Sequence, residues 1–401
     1  MLNLSEIKCV GCTACVAVCS KKVITMRYNE EGFQYPFVEN IDDCIECGLC
    51  EKVCPVYNFK QENEFEQKGL IAQILDEDIR RESASGGMFS AIALSVLDEG
   101  GVVYGAAYDD NFKVCHIGVC KKEDLWKLRN SKYVQSDLVG VFEDVKGYLD
   151  EGRKVCFSGT PCQIEGLVGY LRRNYDNLLL VDVVCHGVSS PLIWNKYLET
   201  IDKYAPDKIY FRWKHYGYKY STMSLFNVNN DEIYYAGVES DKMLRAYFSN
   251  NCDRDTCYSC IFKKRYRVSD FTIWDCFQPR FFDKSFDDDR GTSGVLVHTS
   301  KAMKQLDKMI EENKIKYRFV SPDELVLGNN EMISSVRKGE LRESLLFDAG
   351  HMSGSELFEK YFPDTVKTKV KKLIRLSLVK IRVYNFLKYR LYILRRNKSK
   401  R

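Results

Sequence analysis

Eight cysteines within the first 55 residues fall into two runs: Cys9-Val-Gly-Cys12-Thr-Ala-Cys15-Val-Ala-Val-Cys19, and Cys44-Ile-Glu-Cys47-Gly-Leu-Cys50-Glu-Lys-Val-Cys54. Each run has the spacing C-x2-C-x2-C-x3-C. Three thiolates so spaced can grip one face of an iron–sulfur cube while the fourth leaves the loop on a helix. Where two such runs occur, the fourth cysteine of each serves the other cluster. This assigns Cys9, Cys12, Cys15 and Cys54 to one [4Fe–4S] cluster, and Cys44, Cys47, Cys50 and Cys19 to a second. Zinc sites usually take paired C-x2-C knuckles across a longer loop, so zinc and disulfides explain the repeated triple spacing poorly. Cys54 is followed by Pro55, as such runs usually are, whereas Cys19 is followed by Ser20.

Cys257-Tyr-Ser-Cys260 lies outside these runs, preceded by Arg254 and followed by Lys263, Lys264, Arg265 and Arg267. With Cys162 and Cys185 it offers four thiolates, enough for a third [4Fe–4S] cluster if the fold brings them together. The residues alone also permit zinc, or four unrelated buried cysteines. Cys252 is the main rival ligand, and Cys115, Cys120, Cys156 and Cys276 read as structural. Thr160 fits an N-cap and Pro161 the first helical position, which places Cys162 at the positive end of a helix, where a thiolate is favoured. His186, next to Cys185, has the pKa range of a proton donor, whereas His116, His215, His298 and His351 sit in no ligand spacing. The turn Ser83-Ala-Ser85-Gly86-Gly87 opens an apolar-periodic stretch, and amides at such a helix start suit a phosphate. Its competing reading is a capped helix with turn glycines. Neither G-x-G-x-x-G nor a Walker sequence occurs, so neither a Rossmann nicotinamide site nor a P-loop is indicated.

These residues need elements to hold them. Stretches 22–28 and 32–38 read as a short hairpin between the cysteine runs, and the polar segment Asn58 to Lys68 reads as a linker. A helix follows Met88, then strands over 100–108 and 113–119. A strand-turn-helix unit spans 154–171, and a strand at 177–185 leads into a helix at 192–204. Strands alternating with helices imply an α/β body with its cysteines at strand ends, where such folds place their sites.

At 401 residues and 45% hydrophobic content the chain has room for two or three domains. MLNLSEIKC at the start has no charged n-region and apolar run, and no apolar stretch reaches membrane-spanning length. Seventeen cysteines without an export signal read as reduced ligands in the cytosol. From Lys367 to Arg401 there are fourteen Lys or Arg and no acid, which leaves residues 1–366 at a net charge of −10. The spacing of Val370, Leu373, Ile374, Ser377, Ile381, Tyr384, Leu387, Leu391 and Leu394 predicts a basic amphipathic helix. Such a helix can lie on an anionic membrane surface, so the expected location is cytoplasmic with peripheral contact to the inner face of the membrane. The competing readings are a helix docked on the acidic body and an RNA-attracting tail.

With these residues in hand the chain resembles the coenzyme F420 hydrogenase/dehydrogenase beta subunit family, in the bacterial form with an N-terminal dicluster ferredoxin domain. The resemblance rests on the two cysteine runs, Ser83-Ala-Ser-Gly-Gly87, Tyr104-Gly-Ala106, Ser131-Lys-Tyr133, Gly159-Thr-Pro-Cys-Gln163, Cys185-His-Gly187, Cys257-x2-Cys260, Asp270 and Gly291-Thr-Ser293. It implies a multidomain α+β and α/β fold: a ferredoxin domain at 1–60, N-terminal-like and C-terminal-like beta-subunit segments at 69–165 and 166–345, and the basic tail at 366–401. It implies FAD held by the α/β body, with Ser83, Ser85, Gly86, Gly87, Gly159, Thr160 and Pro161 as candidate contacts and a third cluster nearby. Where family members show Gly-Asp-aromatic-Trp, this chain has Trp274-Asp275-Cys276-Phe277. Trp274 would narrow the pocket, which argues against F420 as a ligand.

Clusters carry one electron each, and a flavin converts between these and the two-electron chemistry of organic bonds. The leading expectation is therefore an iron–sulfur flavoenzyme fed by ferredoxin or another redox protein, with Lys132, Tyr133 and His186 as candidate catalytic side chains. The resemblance suggests a small or lipid-linked substrate in surface-polysaccharide metabolism and no specific nucleic acid. The alternative is a non-catalytic electron-transfer subunit of a larger redox complex, and a redox sensor or scaffold is a third reading.

Overall fold

The computed structural model describes residues 8–61, 64–327, 329–381 and 383–399. Residues 1–7, on which the absence of a leader was read, and positions 62 and 63 of the expected linker lie outside these. The two cysteine runs form one small unit. Helix α1 (Ala14–Val18) and helix α2 (Leu49–Lys52) each follow the loop of their run, and strands β1 (Ile24–Tyr28) and β2 (Gln34–Val38) pair antiparallel between them. The two loops repeat one backbone path. Gly11 and Thr13 in the first run, and Glu46 and Gly48 at equivalent places in the second, all have positive φ. Gly11 N–H donates to Cys9 Sγ at 3.3 Å, and Glu46 N–H to Cys44 Sγ at 3.4 Å. Each loop thus curls its amides around its first sulfur.

The body begins with β3 (Lys68–Ile74), followed by α3 (Glu77–Glu82), α4 (Met88–Leu97), β4 (Val102–Tyr108) and β5 (Val114–Val119). Next come α5 (Val141–Asp150), β6 (Val155–Gly159), α6 (Pro161–Leu171), β7 (Leu178–Val183) and α7 (Pro191–Ile201). Strands β8 (Lys208–Trp213), β9 (Thr222–Phe226) and β10 (Glu232–Gly237) form a separate antiparallel sheet, followed by α8 (Lys242–Phe248). The chain then returns through β11 (Phe271–Asp275), β12 (Ser293–Val297), α9 (Ser300–Glu311) and β13 (Ile315–Val320) to complete an eight-stranded sheet of order β13-β3-β12-β11-β7-β6-β4-β5.

In this sheet β4, β6, β7 and β11 are parallel neighbours, and the outer strands run antiparallel. Parallel strands are covered on both faces, and alternate residues show it. Val103, Cys156, Leu179 and Phe271 pack under α4 and α9, while Val102, Val155, Leu178 and Leu180 pack under α5 and α6. Helix α10 (Pro322–Val326) sets Leu325 in a small cluster with Ile71 and Leu296. A further core joins α7 and α8 to the three-stranded sheet, and there α11 (Arg342–Ala349) and α12 (Gly354–Tyr361) supply Leu345, Leu346, Leu357 and Phe358.

The elements expected from the sequence are present, with two differences. The boundary drawn at 165/166 falls inside α6, and β6 and β7 on either side of it are hydrogen-bonded neighbours. The 69–165 and 166–345 segments therefore share one sheet, because interleaved strands satisfy one another's backbone groups. The tail is two helices rather than one: α13 (Val366–Lys380) and α14 (Tyr384–Ser399).

Candidate functional site

Parallel strands deliver their carboxyl ends to one edge, and this sheet puts its cysteines there. Strand β6 ends at Gly159 and leads directly into α6. Thr160 caps that helix in a capping box with Gln163, whose Oε1 accepts Thr160 N–H at 2.8 Å, and Pro161 occupies the first turn. Gly159, Thr160 and Pro161 thus set the position of Cys162, whose Sγ lies 3.2 Å from Thr160 Oγ1. Strand β7 ends at Val183 just before Cys185 and His186, and a 3-10 turn at Asp255–Ser259 carries Cys257.

The four cysteines converge. Burial, then the charges of Cys260 and Cys185, push the Cys162 thiol up to about 12. Burial and Cys260 also push Cys185 up to about 11, against the lowering effect of Lys263. Cys257 is raised by burial, Cys185 and Cys162, and Cys260 by burial. The expectation that a helix start favours a Cys162 thiolate is corrected, because burial among other thiols outweighs the helix end. Cys252, the rival ligand, packs in the core with Ile193 and Trp194.

The N-terminal unit shows a second convergence. Burial, then Cys15, Cys9 and Cys54, hold the Cys12 thiol well above its ordinary value, and Cys15 is raised by burial, Cys9, Cys54 and Cys50. Cys54, the fourth cysteine of the second run, thus stands with the first three of the first run. Among the described residues no three His, Cys, Asp or Glu side chains form a site for a single metal ion. Thiolates of a four-iron cube bind its separate corners and need not meet at one point.

Helix α6 connects the two sets. A Cβ placed on Gly166 would lie 2.6 Å from Cys12 Cβ and 2.9 Å from Cys12 Sγ, and one on Gly169 would lie 2.4 Å from Val53 O. Both helical positions must stay bare for the N-terminal unit to dock. Gly166 is four residues after Cys162, one turn along the same face.

Arg254 fills the space between the sets and is 1% exposed. Its Nε donates to Cys9 O at 2.8 Å, Nη1 to Gln135 Oε1 at 2.8 Å and Nη2 to Gln34 O at 3.0 Å. The guanidinium lies 4.1 Å from the Tyr35 ring centroid, and Arg254 O accepts Cys257 N–H at 2.8 Å. No carboxylate pairs with it among the described residues. Burying a cation among neutral acceptors costs several kcal/mol. Anionic thiolate-bound clusters beside Cys9 and Cys162 would neutralise it, so the donor set fits iron–sulfur clusters in charge as well as in spacing. Lys263 adds a second cation, donating to Cys185 O at 2.6 Å and to His186 O at 3.2 Å. The sequence marked both residues only as basic neighbours of a cysteine pair.

The named catalytic candidates divide. Tyr133 stacks on Tyr247 with centroids 4.3 Å apart, and the His186 ring lies 5.1 Å from Tyr247. His186 Nε2 meets Asn250 Oδ1 at 2.8 Å, and burial lowers its pKa. Tyr133 OH accepts from Arg212 Nη1 at 3.2 Å, and Arg212 pairs with Asp275 at 2.8 Å. Lys132 turns elsewhere, donating to Lys127 O and Arg129 O at 3.0 and 2.8 Å. Burial pushes its ammonium down to about 7, with the Cys115 thiol opposing the shift.

The Ser-Gly-Gly turn is taken up by the protein itself. Ser83 Oγ donates to Ile79 O, Ser85 Oγ to Thr292 O, and Gly86 N–H to Ser293 Oγ. A Cβ on Gly86 would stand 2.5 Å from Ala72 O, and one on Gly87 2.4 Å from Ile74. These contacts knit β3, β12 and α4 together. Trp274 lies across Gly294, where a Cβ would meet its indole at 2.7 Å, on the sheet face opposite Asp275.

A redox protein of the iron–sulfur class is what the first 60 residues define, and comparison with known proteins bears this out: the 4Fe-4S dicluster domain matches residues 8–58. The coenzyme F420 hydrogenase/dehydrogenase beta subunit descriptions match much of the body, its N-term at residues 70–143 and its C terminus at 152–323. The chain belongs to this oxidoreductase-type family. It is similar to one of the subunits of the F(420)H(2) dehydrogenase of Methanosarcina mazei, 24% identical over 187 residues, covering 44% of this chain and 53% of that one. An NADH-quinone oxidoreductase subunit of Geobacter metallireducens is 38% identical over 66 residues, covering 16% of this chain and 50% of that one. The chain spans about half the length of these curated relatives. A chain of the F420-reducing [NiFe] hydrogenase complex from Methanosarcina barkeri aligns at 15% identity with a TM-score of 0.45, over 80% of this chain and 96% of that one.

Proposed function

We infer that this chain is an iron–sulfur electron-transfer subunit of a larger redox assembly. In this reading Cys9, Cys12, Cys15 and Cys54 hold one [4Fe–4S] cluster, Cys44, Cys47, Cys50 and Cys19 a second, and Cys162, Cys185, Cys257 and Cys260 a third. Bound there, the clusters would supply one-electron carriers. The observation that carries the reading is the contact of Cys12 with Gly166, one helical turn from Cys162. The protein's own part is to fix that separation through α6, to set a cation between the ligand sets through Arg254, and to hold the Cys185 loop through Lys263. The second run supplies the face for a donor such as ferredoxin, because Cys47 is exposed there.

Anaerobic purification with iron, sulfide and flavin analysis tests this. About twelve irons per chain are expected, four for each cube, and Cys162→Ala should remove about four of them. A colourless protein carrying zinc would sink the reading.

The second reading is a complete oxidoreductase with FAD and a small or lipid-linked substrate, and one observation favours it. Arg212, Asp275, Tyr133 and His186 gather polar and aromatic groups at the carboxyl edge, beside Tyr247, which feels the charges of Cys185 and Cys257. A flavin would convert one-electron supply into two-electron chemistry. Flavin released from the purified chain, together with substrate turnover, would favour this reading over the relay.

A further inference from the structure

We propose that the C-terminal helix pair is a membrane-surface platform that seats the protein on a bilayer rich in anionic lipid. The proposal stands apart from the electron-transfer reading and rests on how the two helices are turned. Each docks on the body through polar groups. Arg375 pairs with Glu239 at 2.6 Å, Asn385 donates to Asp289 at 3.0 Å, and Lys388 donates to Lys219 O at 3.2 Å. Tyr384 packs against Tyr220, and Arg396 lies 4.0 Å over the Phe281 ring while donating to Leu327 O.

The opposite sides carry the apolar residues. On α13, Val366, Val370, Leu373 and Ile374 fall within one narrow stripe at 100° per residue, with exposures from 45 to 78%. Arg375, the docking residue, projects from the far side of that helix. On α14, Leu387, Leu391 and Leu394 share a face and are 40 to 61% exposed, while Asn385 and Arg396 project from the far side toward the body; Tyr384, at the start of the leucine face, is buried against Tyr220.

The charges select the occupant. Lys367 and Lys371 flank the α13 stripe on one side, and Lys369 and Lys380 on the other. All four are exposed and have no carboxylate partner among the described residues. A second copy seated on the stripe would bring these lysines face to face, and like charges brought together at an interface are costly. A nucleic acid would meet the lysines and leave the apolar stripe in water. A bilayer bearing anionic headgroups satisfies both at once. No helix among the described residues is long and apolar enough to cross a membrane, so the pair lies on the surface.

Flotation of the full-length protein with vesicles tests this. Binding is expected to vesicles of phosphatidylcholine mixed with phosphatidylglycerol, with little to phosphatidylcholine alone, and it should weaken with salt. Leu373→Ser combined with Ile374→Ser keeps the charge and removes apolar area, and should lower partitioning about tenfold or more. Lys369→Gln with Lys380→Gln should lower it about tenfold or more through lost attraction to the surface. Both pairs are exposed, so the melting temperature should not change. No binding to the mixed vesicles, or binding that the serine pair leaves intact, would overturn the proposal. So would a dimer in light scattering that the serine pair dissolves, since the stripe would then belong to a second copy.

Discussion

Cys12 of the first run rests against α6 with 8% of its surface exposed, whereas Cys47, its counterpart in the second run, is open to solvent. The spacing and backbone path of the two loops are the same, so their surroundings make the difference. The first run meets Gln135, Arg254 and Gly166, and a Cβ at Gly11 would stand 2.3 Å from Gln135 Nε2. Gly48 in the second run has nothing within 4 Å of its own would-be Cβ, and Ile41 and Ile45 beside it are more than half exposed. One ligand pattern used twice can therefore face inward to the body and outward to a partner. The division of labour comes from the packing and not from the motif.

The sharpest way to break this comparison is to act on the docking itself. Gly166→Val should push Cys12 and the N-terminal unit off α6, at a cost of about 3 kcal/mol or more from overpacking. The matched change Gly48→Ala should cost well under half of that. Thermal unfolding of the two variants measures the contrast, and equal losses would refute it.

Acid should act on the body through two buried histidines. His116 and His298 are buried in the body, and burial pushes them down to about 4 and about 3. Their folded values lie below the unfolded value near 6.5, so their neutral forms contribute stability in full above about pH 6.5. That contribution is lost as the pH falls toward about 4 and below, and amounts to roughly 2–4 kcal/mol for each group. Stability measured from pH 7 to pH 4 should fall, and His298→Gln should flatten the slope. A slope unchanged in that variant would count against the assignment.

Arg254 offers a way to sharpen the comparison. Arg254→Gln removes a cation beside the inner ligand sets and leaves the second run untouched. For a charge about 8 Å away at an effective dielectric near 20, the interaction is about 2 kcal/mol. At about 59 mV for each tenfold change in a one-electron couple, this is roughly 90 mV. Potentiometric titration followed by electron paramagnetic resonance should show inner clusters becoming harder to reduce while the outer one holds its potential. Arg254→Lys should restore part of the shift. The smallest effect belongs to the outer face: Ile41→Ser with Ile45→Ser should raise the KM for a protein electron donor about threefold to tenfold, with cluster content unchanged.

The repeated cysteine spacing, the start of α6 at Thr160 and Pro161 and the parallel core strands were legible in the sequence because each is written in neighbouring residues. The meaning of Arg254 was not, since its partner Cys9 lies 245 residues away. The packing of the Ser-Gly-Gly turn was illegible for a related reason. Glycine beside serine looks the same whether it clears space for a phosphate or for a crossing strand, and Gly86 here passes close to Ala72 and Ser293. That residues 69–165 and 166–345 interleave their strands in a single sheet was not legible either, because no local change in composition announces it. The tail's break near residue 381 was not legible, because the apolar period runs across both helices.

The bare patch on α6 at Gly166 and Gly169 has an engineering consequence. A helix behaves as a ruler with one mark every 1.5 Å, so the gap between the two inner ligand sets is a matter of residue counting rather than of a yielding hinge. Inserting four residues between Cys162 and Gly166 would lengthen the gap by about 6 Å while keeping nearly the same face. Tunnelling weakens steeply with distance, so a single added turn would act as a resistor placed in the circuit.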